Sequence, residues 1–317
     1  MKPNLNHRAC ASFKPVRGVL RPLVVAVLGL AAAMGPGSAL ADASTAKTNF
    51  FANMSQAGMV LPVNASTAKI APVYVKGMYR IDAPDGTLVA YTNEAGTITG
   101  KKSGFSIVGL QPGKTRPMTP KELAGLRAEV MSNLEYDKLI RIAHGNGGGR
   151  RILMFSAVDC PGCNHLEKGL HKVAPDMNTT YYVIAGSLVG RKNGGLPALE
   201  KVARIRCADN PGLAWQEYWT KRSVPPARTC AITPESADVD FYSLFAIMQG
   251  VNAIKPLVPM MIGEDGKALP AYQGMPAETA AHFAPERKPA VPRPSSQWLA
   301  AAIDGKAVQT APASKTR

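Results

Sequence analysis

Cysteine is scarce in this chain, with five residues among 317, and this excludes the small scaffolds in which disulfides replace a hydrophobic core. Aromatic residues are also few, at 6%, and they do not alternate with dense runs of lysine or arginine, as in many nucleic-acid-binding segments. Apolar residues, by contrast, make up 46% of the chain, which excludes wholesale disorder. The length is enough for about two domains.

Acidic residues are outnumbered, with 22 Asp and Glu against 37 Lys and Arg and a net charge of +15. The basic residues are spread along the chain, so we interpret the charge as a solvated surface that favours acidic partners. We predict no nucleic-acid partner.

Residues 1–41 have the layout of a secretory signal peptide, in which basic residues precede an apolar run and small residues mark a cleavage site. The apolar run covers residues 23–34 and is followed by a Gly-Pro-Gly break. A membrane anchor is the alternative, but a span needs about 20 apolar residues. We predict cleavage after Ala41, which leaves a net charge of +10 and four cysteines in an oxidising compartment: Cys160, Cys163, Cys207 and Cys230.

Short strands separated by turns predict a small sheet domain in residues 42–118. Residues 42–72 have a weak pattern that suggests a short helix and a flexible lead. Residues 73–118 alternate β-type runs with Gly-rich turns, such as Ala-Pro-Asp-Gly at 83–86. In residues 119–134, Thr119, Pro120 and Glu122 form a capping-box pattern and predict a helix that leads into the next segment.

Residues 135–284 read as a second domain that contains a β-α-β unit. Two strand patterns, "RRILMFSAV" and "TYYVIAG", flank a helical stretch at residues 163–173, and "KLIRIA" precedes them as a further strand. The glycine-rich loop at 144–149 lacks the ending of a phosphate-binding loop. Further helices are predicted at residues 196–208, 212–221 and 238–249, followed by a strand, a turn and a return strand. Residues 285–317 form a Pro-rich basic tail.

Cys160 and Cys163 lie between an apolar strand and a helix start, with two residues between them. A zinc site would need about four ligands, and no second close pair accompanies them. A structural disulfide across so short a loop would contribute little loop-closure entropy. The position favours a redox pair, because helix amides and the helix dipole stabilise a thiolate. We expect Cys160 to be exposed and nucleophilic, and Cys163 to be shielded and to react second.

Cys207 and Cys230 are each isolated in the sequence, beyond the β-α-β unit. Two free buried thiols are the alternative, but in an exported chain we favour a structural disulfide. Closing a loop of this length would stabilise the fold by about 3 kcal/mol in the chain-entropy model.

The order of these segments resembles the periplasmic thiol:disulfide isomerases of the DsbC/DsbG type, over roughly residues 73–275. Residues 75–109, "VKGMYRIDAPDGTLVAYTNEAGTITGKKSGFSIVG", are similar to that family's dimerisation domain. Residues 152–166, "ILMFSAVDCPGCNHL", are similar to its active-site segment. Residues 258–274, "VPMMIGEDGKALPAYQG", are similar to the segment that carries its cis-proline.

The resemblance implies an α+β N-terminal dimerisation domain with a cystatin-like sheet, a linker helix, and an α/β thioredoxin-like domain with a helical insertion. It implies a periplasmic V-shaped homodimer whose two active sites face an apolar cleft. The Pro-Gly dipeptide departs from the family, which commonly has an aromatic residue before the second cysteine.

The resemblance also implies residue roles, without a cofactor or a metal. Cys160 would attack a wrong disulfide in a misfolded exported protein, and Cys163 would release the client. Pro259 is the preferred cis-proline and Pro256 the alternative, with Val258 where the family often has threonine. Cys207 and Cys230 match the family's structural pair.

A membrane reductase of the DsbD type would keep the Cys160/Cys163 pair reduced. Two alternatives remain open at this point. One is a thiol oxidase on the same fold, and the other is a periplasmic chaperone or assembly module with secondary redox activity.

Overall fold

The computed structural model describes residues 37–109, 111–144, 150–173, 178–252 and 257–269, which belong to one compact unit. Four features of the sequence lie outside the described residues: the apolar run at 23–34, the loop at 145–149, Pro256 and the tail from residue 285. Within the described ranges, no helix is long and apolar enough to cross a membrane.

Six strands form an antiparallel sheet in the N-terminal part, arranged in sequence order from one edge to the other. Gly86, in the turn between the second and third strands, has a φ of 83°, a conformation that glycine adopts without steric cost. The predicted strand meander is therefore present. Its strands are β1 (Lys69–Pro72), β2 (Met78–Asp82), β3 (Leu88–Asn93), β4 (Ile98–Lys101), β5 (Gly104–Ile107) and β6 (Arg116–Pro117).

Helix α1 (Gly37–Gln56) packs against this sheet and is longer than the short helix predicted from the sequence. Phe50 and Met54 belong to the same buried cluster as Ile81 and Val108. The helix extends over 20 residues because small and large apolar residues recur at helical spacing on its buried side. These residues are Ala43, Ala46, Phe50 and Met54, and the buried Ala57 follows directly after the helix.

Helix α2 (Pro120–Asn133) begins at the predicted capping box. The Thr119 hydroxyl accepts a hydrogen bond from the Glu122 amide, and the Glu122 carboxylate accepts one from the Thr119 amide at 2.7 Å. Arg116 also donates to that carboxylate, at 2.7 and 2.8 Å. The Arg116 guanidinium, together with the Thr119 donors, lowers the pKa of Glu122 to about 2. Sequence-local chemistry thus starts this helix.

The second sheet has five strands, in the order β11-β10-β8-β9-β7. Its central strands β8 and β9 are parallel and are connected through helix α3 (Pro161–Val173), as the β-α-β pattern predicted. The other three strands run antiparallel to their neighbours. This strand order is thioredoxin-like. The strands are β7 (Ile140–Ala143), β8 (Arg150–Ala157), β9 (Thr179–Gly186), β10 (Met260–Gly263) and β11 (Ala268–Leu269).

Both faces of the second sheet are covered. Ile152 and Met154 of β8 belong to a buried cluster with α3, whereas Leu153 and Phe155 belong to another that includes residues of the N-terminal sheet. Side chains alternate between faces along a strand, so a strand buried on both sides reads as a continuous apolar run. This is why "ILMF" shows no alternation.

Three helices form the predicted helical insertion: α4 (Leu196–Arg206), α5 (Pro211–Lys221) and α6 (Pro234–Asn252). The first two lie close to their predicted bounds. Helix α6 begins four residues before the predicted 238, because Thr233 and Ser236 exchange side-chain to backbone hydrogen bonds at 3.1 and 2.9 Å. Such reciprocal bonds satisfy amides that a helix start leaves without partners. Single-turn helices lie at Tyr136–Lys138 and Arg191–Asn193.

Helix α6 connects the two sheets. A side chain at Gly250 would stand 2.7 Å from both the Lys101 carbonyl oxygen and the Phe105 ring, so glycine permits the close approach of α6 to the hairpin of β4 and β5. Phe105 and Phe155, from different sheets, share one buried cluster with residues of α6. The two predicted domains therefore share a core here, and their limits at 118 and 135 stay a prediction.

Candidate active site

The Cys160/Cys163 pair lies where β8 ends and α3 begins. The Cys160 amide donates to the Ala157 carbonyl at 3.0 Å, which turns the chain. Pro161 is the first residue of the helix, a position where the missing N–H costs nothing. The Cys163 amide donates to the Cys160 sulfur at 3.1 Å, so this sulfur caps the helix as a serine hydroxyl would. Negative charge on the Cys160 sulfur is stabilised by this amide and by the helix dipole.

Both cysteines are free thiols and both are buried. Cys163 has no exposed surface, as expected, but only 5% of Cys160 is exposed, so the prediction of an exposed Cys160 was wrong. The cause is the loop before β10, where the Val258 carbonyl oxygen lies 3.6 Å from the Cys160 sulfur and accepts its hydrogen bond. This loop therefore covers the Cys160 sulfur.

The Val258–Pro259 peptide bond is cis. Val258 is half-buried, Pro259 is buried, and β10 begins directly after them at Met260. The structure thus brings Val258 and Pro259 next to Cys160 and Cys163. The alternative residue, Pro256, lies outside the described ranges.

The two thiols differ in their electrostatic surroundings. Burial raises the pKa of the Cys163 thiol, a hydrogen bond from the Ala157 amide opposes that shift, and the neighbouring Cys160 adds to it. The Ala157 amide lies 3.4 Å from the Cys163 sulfur. Cys163 therefore holds its proton firmly, and its later reaction with a disulfide requires a base.

A buried carboxyl group near Cys163 was not singled out from the sequence. Glu167 lies one turn after Cys163 on α3, and its Oε1 accepts hydrogen bonds from the Ser156 hydroxyl at 2.9 Å and the Trp215 indole at 3.0 Å. Burial raises the pKa of Glu167 to about 7, although both hydrogen bonds oppose the shift. The Ser156 side chain also has a small lowering effect on the pKa of Cys163. Ser156 thus lies between the Cys163 thiol and a carboxyl whose pKa is raised to about 7.

The signal for Glu167 was present in the sequence. Cys163, Leu166 and Leu170 follow helical spacing and are buried, and Glu167 falls within that apolar face instead of the solvated one. A carboxyl on an apolar helix face is buried only when it has partners. Its partners come from β8 and α5, which the sequence does not place next to α3.

Glu167 also lines a small cavity. It has a volume of about 20 Å³, which is room for about one water molecule. His144 and His171 also line it. Burial, and secondarily the positive charge of His171, lowers the pKa of His144. The cavity is therefore lined by the Glu167 carboxyl and by two imidazole side chains.

Two further residues position the active-site loop. The Tyr218 hydroxyl of α5 donates to the Val158 carbonyl at 3.0 Å. The carboxylate of Asp159 accepts bonds from the Ser187 hydroxyl at 2.7 Å and the Leu188 amide at 2.8 Å. These contacts hold the Val158 main chain and the Asp159 side chain, the two residues that precede Cys160. They link distant segments, so no local pattern predicts them.

Cys207 and Cys230 form a disulfide on the surface, between the end of α4 and the loop before α6. Cys230 is exposed and Cys207 is half-buried. The described residues include no group of three His, Cys, Asp or Glu side chains that could hold a metal ion.

Neither a family model nor a curated protein matches the chain. Among solved structures, it is similar to a disulfide interchange protein from Neisseria gonorrhoeae, with 21% identity and a TM-score of 0.36 over 48% of this chain and 99% of that one. It is similar to a linker-deletion mutant of ScsC from Proteus mirabilis, with 13% identity and a TM-score of 0.37 over 51% of this chain and 82% of that one. It is also similar to DsbG from Helicobacter pylori, with 14% identity and a TM-score of 0.31 over 62% of this chain and 93% of that one.

Proposed function

We propose that this chain is a thiol-disulfide oxidoreductase in which Cys160 attacks and Cys163 resolves. One observation carries the proposal: the Cys160 sulfur accepts the Cys163 amide at 3.1 Å and also lies 3.6 Å from the Val258 carbonyl oxygen. The first contact stabilises a thiolate. The second lies on the cis Val258–Pro259 loop, whose backbone would pair with an extended client.

The exchange has two steps. The Cys160 thiolate attacks one sulfur of a client disulfide, forms a mixed disulfide and releases the other client sulfur as a thiolate. A different thiolate of the client then attacks the client sulfur of the mixed disulfide, which forms a new client disulfide and releases the Cys160 thiolate. Alternatively, the Cys163 sulfur attacks Cys160, which leaves the client reduced and the enzyme with a Cys160–Cys163 disulfide.

The second route needs a base for the Cys163 proton. In the proposed mechanism the Ser156 hydroxyl passes that proton to the Glu167 carboxylate, since Ser156 hydrogen-bonds Glu167 and is close enough to Cys163 to affect its pKa. A pKa of about 7 for Glu167 suits a base that must accept and release a proton near neutral pH. In the same mechanism the proton then leaves Glu167 through the adjoining cavity.

The proposed biological reaction is the isomerisation or reduction of incorrect disulfides in exported proteins. The signal-peptide pattern and the resemblance to the DsbC/DsbG type support a periplasmic location, a homodimer joined through residues 42–118, and a DsbD-type membrane reductase as electron source. The exposed Cys207–Cys230 disulfide suits an oxidising compartment.

A refolding assay tests this function. The wild-type chain, with Cys160 and Cys163 reduced, is mixed with a protein whose disulfides have been scrambled. The recovery of that protein's activity is followed, and the mass of the wild-type chain in solution is measured. We expect native pairings to return at catalytic protein concentrations, from a dimer. Full activity from a stable monomer would contradict the dimer, and no activity from a reduced dimer would contradict the isomerase.

A thiol oxidase is the second candidate, and the hydrogen bond from the Cys163 amide to the Cys160 sulfur favours it. Stabilising the thiolate stabilises the reduced enzyme, which makes its disulfide a stronger oxidant. The reduction potential of the Cys160/Cys163 pair separates the two. A value near that of known oxidases, roughly −120 mV, would favour oxidation of clients.

A further inference from the structure

A cavity beside the active site has no role in the exchange chemistry described above. Its volume is about 270 Å³, slightly below the ~300–1,000 Å³ of most small-molecule sites, and suits a side chain better than a whole ligand. Its walls come mainly from α6 and from the loop after β9. The apolar lining residues are Leu188, Phe241, Tyr242, Phe245, Ala246 and Val258.

Two lining residues connect the cavity to the reactive sulfur. Val258 lines the cavity and also accepts the hydrogen bond of the Cys160 thiol. Leu188 also lines it, and the Leu188 amide donates to the carboxylate of Asp159, the residue before Cys160. A polypeptide that pairs with the Val258 loop and presents a disulfide to Cys160 therefore runs next to this cavity.

Two hydrogen-bond donors accompany the apolar walls. Gln249 lines the cavity and is only 6% exposed, and its Nε2 has no hydrogen-bond partner among the described residues. Lys102, from the hairpin of β4 and β5, lines the same cavity. A buried donor without a partner costs stability, so an acceptor atom brought within reach of Gln249 would relieve that cost, and the exposed Lys102 supplies a second donor at the same rim.

We propose that this cavity is a specificity pocket for the client, which takes one large apolar side chain close to the client's reactive cysteine while Gln249 and Lys102 bind a main-chain carbonyl oxygen beside it. The proposal rests on the proposed function, because it identifies the clients as extended segments with an apolar residue near the disulfide. Such segments are exposed in misfolded proteins and buried in folded ones.

The test uses the Cys163→Ala chain, in which exchange stops at the mixed disulfide. The probes are short peptides whose single cysteine is joined to thionitrobenzoate, with either leucine or alanine at each position flanking the cysteine. The Cys160 thiolate attacks the peptide sulfur, forms the Cys160–peptide disulfide and releases thionitrobenzoate, the better leaving group, which is followed by absorbance. The measured quantity is the leucine-to-alanine ratio of the rate constants.

We expect the ratio to be about tenfold for at least one flanking position, from the burial of a leucine side chain. Replacing Leu188 by alanine in this background should lower the ratio severalfold. The matched control is Leu213→Ala on α5, which truncates a similarly exposed leucine, at 51% against 44%. Because Leu213 is not among the residues that line the cavity, the control should keep the full ratio.

Gln249→Met gives a signature that a purely structural role would not give. It removes the donor that lacks a partner, so the melting temperature should rise by a few degrees, whereas exchange with the leucine peptide should slow severalfold. A variant that gains stability without losing exchange rate would contradict a role for Gln249 in client binding.

The outcomes separate this proposal from the function on which it rests. A chain whose Cys160 reacts with no peptide would contradict the oxidoreductase itself. Ready reaction with a ratio of one at every position would contradict the pocket alone. So would a ratio of one that rises only when the protein is diluted, because the pocket would then be occupied by a second copy of this chain.

Discussion

Cys160 and Cys163 are buried free thiols, whereas Cys207 and Cys230 form a disulfide at the surface of the same chain. The Cys163 amide and the Val258 carbonyl oxygen contact the Cys160 sulfur, and the buried Glu167 carboxyl lies near Cys163. The two sulfurs of this first pair therefore have different electrostatic surroundings. The second pair is bordered by an exposed ion pair between Arg228 and Asp209. If Cys160 is the reactive sulfur, as we propose, then the groups that contact a sulfur are a better guide to its reactivity than its exposure.

The largest effect that would sharpen this comparison is the loss of the attacking sulfur. Cys160→Ala should reduce refolding of a scrambled client by at least roughly a thousandfold, because the remaining thiol, Cys163, is buried and holds its proton. Serine is a suitable second variant, since it keeps a helix-capping acceptor. If both variants fold and keep substantial activity, the first pair does not carry the function, and a chaperone becomes the better explanation.

The next effect concerns the proton of Cys163. Glu167→Gln keeps an acceptor for Ser156 and Trp215 but removes the base, so the rate of Cys160–Cys163 disulfide closure should fall about 10–100-fold. The wild-type rate should rise with pH through about 7, and the rate of the variant should lack that step. Rapid chemical quenching of a mixed disulfide measures both. An unchanged pH profile would show that Glu167 does not accept the proton.

The same substitution tests stability. The pKa of Glu167 is raised from 4.5 to about 7 on folding, so the folded chain binds more protons than the unfolded one between these values. Stability is therefore lost as the pH rises through this window. Between pH 4 and pH 8 the wild type should lose about 3 kcal/mol relative to Glu167→Gln. Denaturant unfolding of both chains measures the difference, and parallel curves would contradict a buried titrating carboxyl.

Removal of the Cys207–Cys230 disulfide should lower stability and leave the exchange reaction intact. The Cys207→Ala, Cys230→Ala double variant opens a loop with a sequence separation of 23 and should lower the free energy of unfolding by about 3 kcal/mol. Exchange by Cys160 should persist wherever the variant is folded. Unfolding and peptide exchange measured on one sample check both statements. Lost exchange in a folded variant would assign the second pair a share of the chemistry.

The smallest effect concerns the support of the active-site loop. Tyr218→Phe removes one hydrogen bond to the Val158 carbonyl and should cost about 1 kcal/mol of stability, with exchange slowed severalfold. Arg228→Ala, beside the second pair, is the matched control and should leave the exchange rate unchanged. Equal effects of the two substitutions would remove the distinction between the surroundings of the two pairs.

Local chemistry made part of this structure predictable. The capping box of Thr119 and Glu122, the apolar strand before Cys160, and the helix after it, which begins two residues before the predicted 163, each depend on residues within a few positions of one another. The parallel pairing of β8 and β9 followed from the helix between them. Signals of this kind survive in a sequence because both partners of each contact are near each other in it.

The features that were wrong or missed depend on contacts between distant segments. Cys160 is buried because residue 258 folds back over it, and Glu167 is buried with partners from β8 and α5. The close approach of Gly250 to Phe105 joins segments about 145 positions apart. Residue types alone do not specify such pairs. An apolar helix face that includes a glutamate was the one signal that was available.

The most direct test of the central claim is a trapping experiment with two variants, each of which keeps one cysteine of the Cys160/Cys163 pair. Cys163→Ala and Cys160→Ala are each incubated with a scrambled-disulfide client, quenched in acid, alkylated and analysed by mass spectrometry. Our account predicts that Cys163→Ala accumulates a mixed disulfide through Cys160, and that Cys160→Ala accumulates almost none, because the Cys163 thiol is buried and its pKa is raised. Accumulation through Cys163 in the Cys160→Ala chain, at a rate equal to that through Cys160, would contradict it.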